Sequence, residues 1–354
     1  MKENEKRALE LKIKLDDIFK QHDERTKYIL SHPELIDKVN YRKRSENSLV
    51  KKNGIKKPIC KDGILLRGKC EYKGDHWTRN SNGHEIVDYL NSLFRVLVVT
   101  KDSNEDVEEN EDTTNRGVEW DIKTETLRSN KSEEICINNS FAKNYISIIC
   151  IFMLYRSHSE NEILEVLADI DKCWSIWDNA PIARINLKKQ PGNGSINDSL
   201  LSSYISLYGE ILQKQIELIN PTVIINSAGK PGMNFFKKIY KDLKCIDKNY
   251  GNGRDKWIYI DKIKKLVIID IYHFSYRGWK LNDQSLFPQI RNRPHKMHRG
   301  QKGSDTVAKE GATQQKLPQR RIKSPYPTMR LESIRKITTI RCRCLPKSFW
   351  NTSA

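Results

Sequence analysis

Long apolar runs are missing from this sequence. The longest, YISIICIFMLY at residues 145–155, is about half of the roughly 20 residues that a membrane-spanning helix needs, so it reads as a buried helix and no membrane partner is expected. The opening MKENEKRALELKIKLDD lacks both the apolar core and the small-residue cleavage site of a secretory signal, which makes a cytoplasmic location the expectation. Closely paired cysteines are scarce as well. The eight Cys are scattered singly apart from Cys342 and Cys344, which is no secreted disulfide framework and agrees with a reducing compartment. Cys60, Cys70 and His84 offer three metal ligands, but their spacing is wider than the tight pairs of zinc sites and no fourth ligand accompanies them. Reduced thiols without a metal are the expectation. Neither a GxxxxGK followed by Ser or Thr nor a GxGxxG occurs, so neither of the two common phosphate-binding fingerprints is present.

Basic charge is abundant but unevenly placed. The net charge is +18, and residues 291–354 hold 16 Lys and Arg against Asp305, Glu310 and Glu332, which leaves the rest of the chain only mildly basic. That tail shows no sustained apolar period and is rich in Gln, Pro and Ser, as disordered segments are. Residues 1–85 read as a helical amino-terminal extension, interrupted by Pro33, followed by a polar, Gly-dotted connector. Residues 86–290 have a different texture. FRVLVVT (94–100), PIARINL (181–187), PTVIINS (221–227) and KLVIIDI (265–271) are short, nearly continuous apolar runs of the kind that form strands buried on both faces. Helical stretches lie between them at 141–156, 161–173, 200–219 and 233–243. The expected fold class is α/β, a three-layer sandwich with a central, mostly parallel four-stranded sheet flanked by helices.

Ligands in such sheets bind outside the carboxyl ends of the strands. The segments there are TKDSNED (100–106), KKQPGNGS (188–195), SAGKPG (227–232) and HFSYR (273–277), which together carry an acid, amides, a histidine, hydroxyls and cations. Each alone is an ordinary polar turn; four on one rim make a candidate site.

In order, VLVVTKDSNED, INLKKQPGN with Asn186 and Lys189 in an NxxK spacing, QIELINPTVIINSAGK and VIIDIYHFSYR resemble the uracil-DNA glycosylase superfamily over residues 94–277. The first loop differs from the usual Gly-Gln-Asp-Pro or Gly-Glu-Ala-Pro forms, and Phe274 stands where that family usually has Pro. The resemblance implies hydrolysis of the N-glycosidic bond to uracil, or to a related deaminated base, in DNA, by a monomer that needs no metal or organic cofactor. It implies Asp102 as the acid that orients water and His273 as the donor to the oxyanion developing on the base. Asn186 would read the base edge, Asn104 would help bind the base, and Phe274 or Tyr272 would stack on it. Lys188, Lys189, Ser275 and Arg277 would hold the DNA backbone.

Other readings stay open at this point. Asp102 can equally cap the following segment, within an acidic cluster (102–112) that repels phosphate. Asp270 is either a second functional acid or a strand-end residue bonded to nearby amides. Trp120 and Asp121 either line the pocket or cover the core edge, and His84 sits near a helix start at the surface. For the whole chain the alternatives are a catalytically inactive DNA- or partner-binding protein on the same fold and an α/β hydrolase acting on a nucleotide or another phosphorylated small molecule.

Overall fold

The computed structural model describes residues 3–39, 49–50, 56–57, 59–68, 71–72, 77–78, 82–101, 140–155, 157–192, 196–246, 258–271 and 273–274. Asp102, Asn104, Trp120, Asp121, Tyr272, Ser275, Arg277, Cys70 and the 291–354 tail lie outside these residues.

The four apolar runs form β4 (Val96–Thr100), β5 (Ile182–Asn186), β6 (Val223–Asn226) and β9 (Leu266–Asp270). They pair in parallel in the order β5-β4-β6-β9, with Val99 opposite Ile185 on one side and Asn226 on the other. The α/β class therefore holds, but the sheet is larger than four strands and mixed. Among the described residues it has seven strands, because β1 (Gly63–Ile64) pairs antiparallel with β5, β8 (Ile258–Asp261) antiparallel with β9, and β7 (Lys244–Cys245) antiparallel with β8. Two-residue strands carry no period, and IYID, interrupted by Tyr and Asp, is not the continuous Val- and Ile-rich run that marks the central strands, so all three additions escape a pattern search. A separate two-stranded ribbon joins β2 (Glu71–Tyr72) to β3 (Trp77–Thr78).

Alternation along the strands makes two cores. Val96, Val98, Ile182, Val223, Ile225, Val267 and Ile269 pack on one face against α4 (Ser140–Leu154), α5 (Glu160–Ala168) and α6 (Ile170–Asn179). Leu97, Val99, Ala183, Ile185, Ile224 and Ile268 pack on the other, against α1 (Glu3–Leu30), α2 (Pro33–Val39), α3 (Glu85–Asn91), α7 (Asp198–Ile219) and α8 (Lys230–Ile239). Helices thus cover both faces of the sheet. The apolar 145–155 run is the buried α4, and among the described residues no helix is long and apolar enough to cross a membrane.

Local chemistry sets the helix ends. The single helix expected at 161–173 is two helices, because Asp169 is extended and its carboxylate accepts from the backbone N–H of Asp171 and Lys172, starting a new helix. Asn197 caps α7 in the same way, accepting from Leu200 N–H at 2.8 Å. At its far end Asn220 takes the left-handed conformation (φ 48°) before Pro221, which cannot continue a helix.

The amino-terminal helix belongs to the core. Its buried side chains, Leu11, Leu15, Ile18, Phe19, His22, Thr26 and Ile29, recur every three or four residues and face α7 and α3. Two members of that stripe are polar. Thr26 hydroxyl and Tyr208 hydroxyl lie 2.9 Å apart, and Gln190 Nε2 donates to Thr26 at 3.0 Å. His22 stacks on Tyr208 with 5.4 Å between ring centres, and among the described residues neither ring nitrogen has a hydrogen-bond partner. The connector contributes Asp62, a buried carboxylate that accepts from Lys189 Nζ at 2.5 Å, from the Asn186 backbone N–H at 2.6 Å and from Gln215 Nε2 at 3.1 Å.

Two outcomes test this packing. Asp62→Ala strands the fully buried Lys189 ammonium, and we expect a loss of about 3–5 kcal/mol in urea unfolding, much of it recovered in the double variant Asp62→Leu, Lys189→Met. Burial, and then the Lys189 charge, hold the His22 imidazole well below its ordinary value of 6.5, so the unfolded chain takes up this proton first. The contribution of neutral His22 is complete above about pH 6.5 and is lost as pH falls below it. His22→Phe should therefore flatten the fall in stability between about pH 6.5 and 5, measured by denaturation at each pH.

Candidate functional site

Chain direction singles out one rim. After β4 the chain passes to the helices of one face, and after β5 and β6 it passes to those of the other. The carboxyl end of β4, lying between β5 and β6, is therefore a topological switch point, where diverging connections leave a crevice. Thr100 ends β4 there and Lys101 follows it, beside Asn186 of β5, Asn226 of β6 and Asp270 of β9.

On the α4 face of this rim, Arg184, Asn186 and Thr100 point the same way, because residues two apart on a strand share a face and Thr100 is in register with Asn186. Arg184 is 4% exposed, and its guanidinium lies over the rings of Phe141 (5.2 Å) and Tyr145 (5.6 Å). Its Nε donates to the Thr100 hydroxyl oxygen at 3.2 Å, and that hydroxyl makes a short hydrogen bond to Asn186 Oδ1. Asn186 is fully buried, and its Nδ2 has no hydrogen-bond partner among the described residues.

His273 approaches the same group from β9, with its ring 5.6 Å from Phe141. Burial, then the positive charges of Lys101 and Arg184, push its pKa down to about 4, so the imidazole is neutral at pH 7 and can donate one N–H. Phe274 is fully buried, lying edge-on to Phe141 at 5.4 Å and 4.9 Å from Tyr145, and its carbonyl accepts from Asn144 Nδ2 at 2.7 Å. Placed so, Phe274 pegs the end of β9 to α4 and holds His273 at the rim; its own ring is occupied by the core.

The lysines after β5 also turn inward. Lys188 Nζ donates to the Gln190 carbonyl and is buried, and Lys189 is the partner of Asp62. In this arrangement neither ammonium faces outward to a phosphate. The half-buried cation of the rim is Lys101, which pairs with Asp198 at 2.9 Å. Sequence reasoning does not single out Thr100, Lys101, Arg184 or Phe141. Arg184 carries a signal, a charge in the middle of PIARINL, whereas Phe141 and Thr100 look ordinary.

The opposite face of the rim is a rigid bracket. Asn226 Nδ2 donates to Asp270 Oδ1 at 2.7 Å and to the Gly229 carbonyl at 3.2 Å, and its Oδ1 accepts from Ala228 N–H at 3.2 Å. Asp270 is thus a strand-end acid bonded to an amide. Gly229 at φ 72° starts α8, which brings Gly232 against Asn226. Among the described residues no group of three or more His, Cys, Asp or Glu could hold a metal; Cys60 is buried, and His84 precedes α3 at its start.

The class that fold and rim define is an α/β domain with a cluster of hydrogen-bonding and charged side chains at the switch point of its parallel strands. No family model matches the chain, and no curated protein matches it in sequence.

A methyl group at Gly232 would overlap Asn226 Oδ1 and lie 2.9 Å from Ala228 Cβ. We expect Gly232→Ala to cost about 1–3 kcal/mol in denaturant unfolding, while Gly209→Ala, whose nearest neighbour is 3.7 Å away, should show no such overlap penalty.

Proposed function

We propose that this chain is a DNA N-glycosylase, which hydrolyses the bond between deoxyribose and uracil, or a related deaminated base, and leaves an abasic site. The observation that carries the reading is the pair of donors at the rim: the buried Asn186 Nδ2, without a partner among the described residues, and the neutral His273, whose ring lies 5.6 Å from Phe141. Breaking this bond places negative charge on the leaving base. A neutral imidazole that donates to the developing oxyanion, near the Arg184 guanidinium, lowers that barrier without first having to lose a proton. An amide that donates to a ring carbonyl suits uracil, whose O4 accepts, where cytosine offers an amino donor.

Asp102 follows two residues after the end of β4, and its role in this reading is to orient water and offset positive charge on the sugar. Asn104 contributes to the base pocket from the same loop, and Ser275 and Arg277 contact the strand backbone just past His273. The inward-facing Lys188 and Lys189 support β5 from behind, so backbone contacts rest on Arg277 and Ser275. The protein acts as a monomer, in the cytoplasm, with DNA as partner and no cofactor. A non-catalytic DNA-binding role is the second reading, favoured by a first loop (TKDSNED) that differs from the common forms of the family it resembles.

Single-turnover incubation with a labelled uracil-containing oligonucleotide, followed by alkaline cleavage, tests the proposal. Wild type should cleave, with Asp102→Asn strongly impaired and His273→Ala slowed by ~10²–10³. With a pKa of about 4, His273 should impose no fall in rate between pH 8 and 6 and an acid limb only as pH approaches that value. Folded wild-type protein that binds this DNA and never cleaves it selects the non-catalytic reading.

A further inference from the structure

We infer that Thr100 is a positioning residue that fixes which end of the Asn186 amide meets the ligand, and so selects a ligand bearing a carbonyl oxygen over one bearing an amino group. The inference rests on the reading of Asn186 as the base-reading residue. An Asn side chain has nearly the same shape with its oxygen and nitrogen exchanged, so packing alone does not choose between the two orientations. Hydrogen bonds must choose.

The choice can be followed atom by atom. A guanidinium donates and never accepts, so the Thr100 oxygen, 3.2 Å from Arg184 Nε, is the acceptor of that bond. The Thr100 proton must then go elsewhere. Two acceptors are in range, the Ile185 carbonyl at 3.3 Å and Asn186 Oδ1, and the amide oxygen is the closer. With the Thr100 proton donated to Asn186 Oδ1, Arg184 to Thr100 to Asn186 runs as one chain of donors, with the amide NH₂ turned away from Thr100. That NH₂ is buried and has no partner among the described residues, at a cost of about 1–3 kcal/mol that a ligand acceptor would recover. A ligand that presents its own NH₂ there meets donor against donor. The carboxamide is also held at its root, because the Asn186 backbone N–H donates to Asp62 Oδ2 at 2.6 Å. The Thr100 bond adds a contact at the other end of the same side chain.

Thr100→Val keeps the shape and removes the hydroxyl, whereas Thr100→Ser keeps the hydroxyl. Cleavage of uracil- and cytosine-containing oligonucleotides by the full chain gives a discrimination ratio for each. We expect Thr100→Val to lower that ratio by roughly 10- to 100-fold, the usual worth of one well-made base contact, and Thr100→Ser to restore it. A second measurement does not depend on turnover. In protein labelled with ¹⁵N-asparagine, with the Asn186 NH₂ signals assigned by their loss in Asn186→Asp, wild type and Thr100→Ser should each show a single NH₂ pair. Thr100→Val should show a doubled or exchange-broadened pair as the amide flips. A wild type that releases no uracil but gives this pattern overturns the glycosylase reading and leaves the positioning role standing. A single sharp NH₂ pair in Thr100→Val overturns the positioning role, as does an unchanged discrimination ratio in an active enzyme.

Discussion

A carboxylate in the core has to be neutralised where it stands, and much of the candidate rim is arranged around one, Asp62. Burial strips the group of most of its hydration, so the charge is met by the Lys189 ammonium, the Asn186 peptide N–H and the Gln215 amide. These partners come from three parts of the chain: the turn after β5, the last residue of β5, and the later turns of α7. Asp62 itself immediately precedes the edge strand β1. One buried charge therefore locks the edge strand, the end of a central strand and the long helix into a single geometry. Satisfying it extends outward. Lys189 N–H donates to the Tyr204 hydroxyl, which donates to Gln190 Oε1, and Gln190 Nε2 donates to Thr26 on α1. The amino-terminal helix is bound to the same junction by hydrogen bonds as well as by its apolar stripe.

This junction explains what the sequence discloses and what it hides. The four parallel strands are visible because residues buried on both faces must be apolar, and runs such as VLVV and VII meet that requirement at every position. The strand-end position of Asn186 and the delivery of His273 past an apolar strand follow from the same pattern. Lys188 and Lys189 mislead for a physical reason. A lysine is read as solvent-exposed unless its counter-charge is known, and the counter-charge of Lys189 lies 127 residues away in a polar connector. Phe274 misleads in the opposite sense. An aromatic ring next to a candidate catalytic histidine invites a stacking role, but Phe141 and Tyr145 of α4 already enclose it. Nothing local to HFSYR reveals which ring of the pair, His273 or Phe274, turns outward.

The rim divides its labour between its two faces. Toward α8, the Asn226 carboxamide has its amide group and oxygen bonded to Asp270, Gly229 and Ala228, and a glycine at 232 lets the helix close against it. Such a bracket is rigid and chemically saturated, suited to holding β6 and β9 at fixed spacing. Toward α4, Asn186 is held at its backbone, while its side-chain nitrogen has no partner among the described residues. Two asparagines at the strand ends on either side of β4 thus differ: the Asn226 amide is bonded on both its nitrogen and its oxygen, and the Asn186 amide nitrogen has no partner among the described residues.

Electrostatics on the open face act in one direction. Burial, then the charges of Lys101 and Arg184, keep His273 from becoming a third cation. A neutral imidazole donates one N–H and can do so across the physiological range, while the surrounding charge favours any ligand on which negative charge develops. Arg184 has a further effect. It donates to the Thr100 hydroxyl, which in turn donates to the Asn186 amide oxygen, so a charge in the middle of an apolar strand is linked by hydrogen bonds to a neutral group two residues further on. The cost of burying that guanidinium is moderated by the Phe141 and Tyr145 rings beneath it, the same rings that seat Phe274 and so hold His273 in place. Electrostatic direction and mechanical support at this rim thus come from one packed cluster, which is why a donor set assembled from three strands can keep a single orientation.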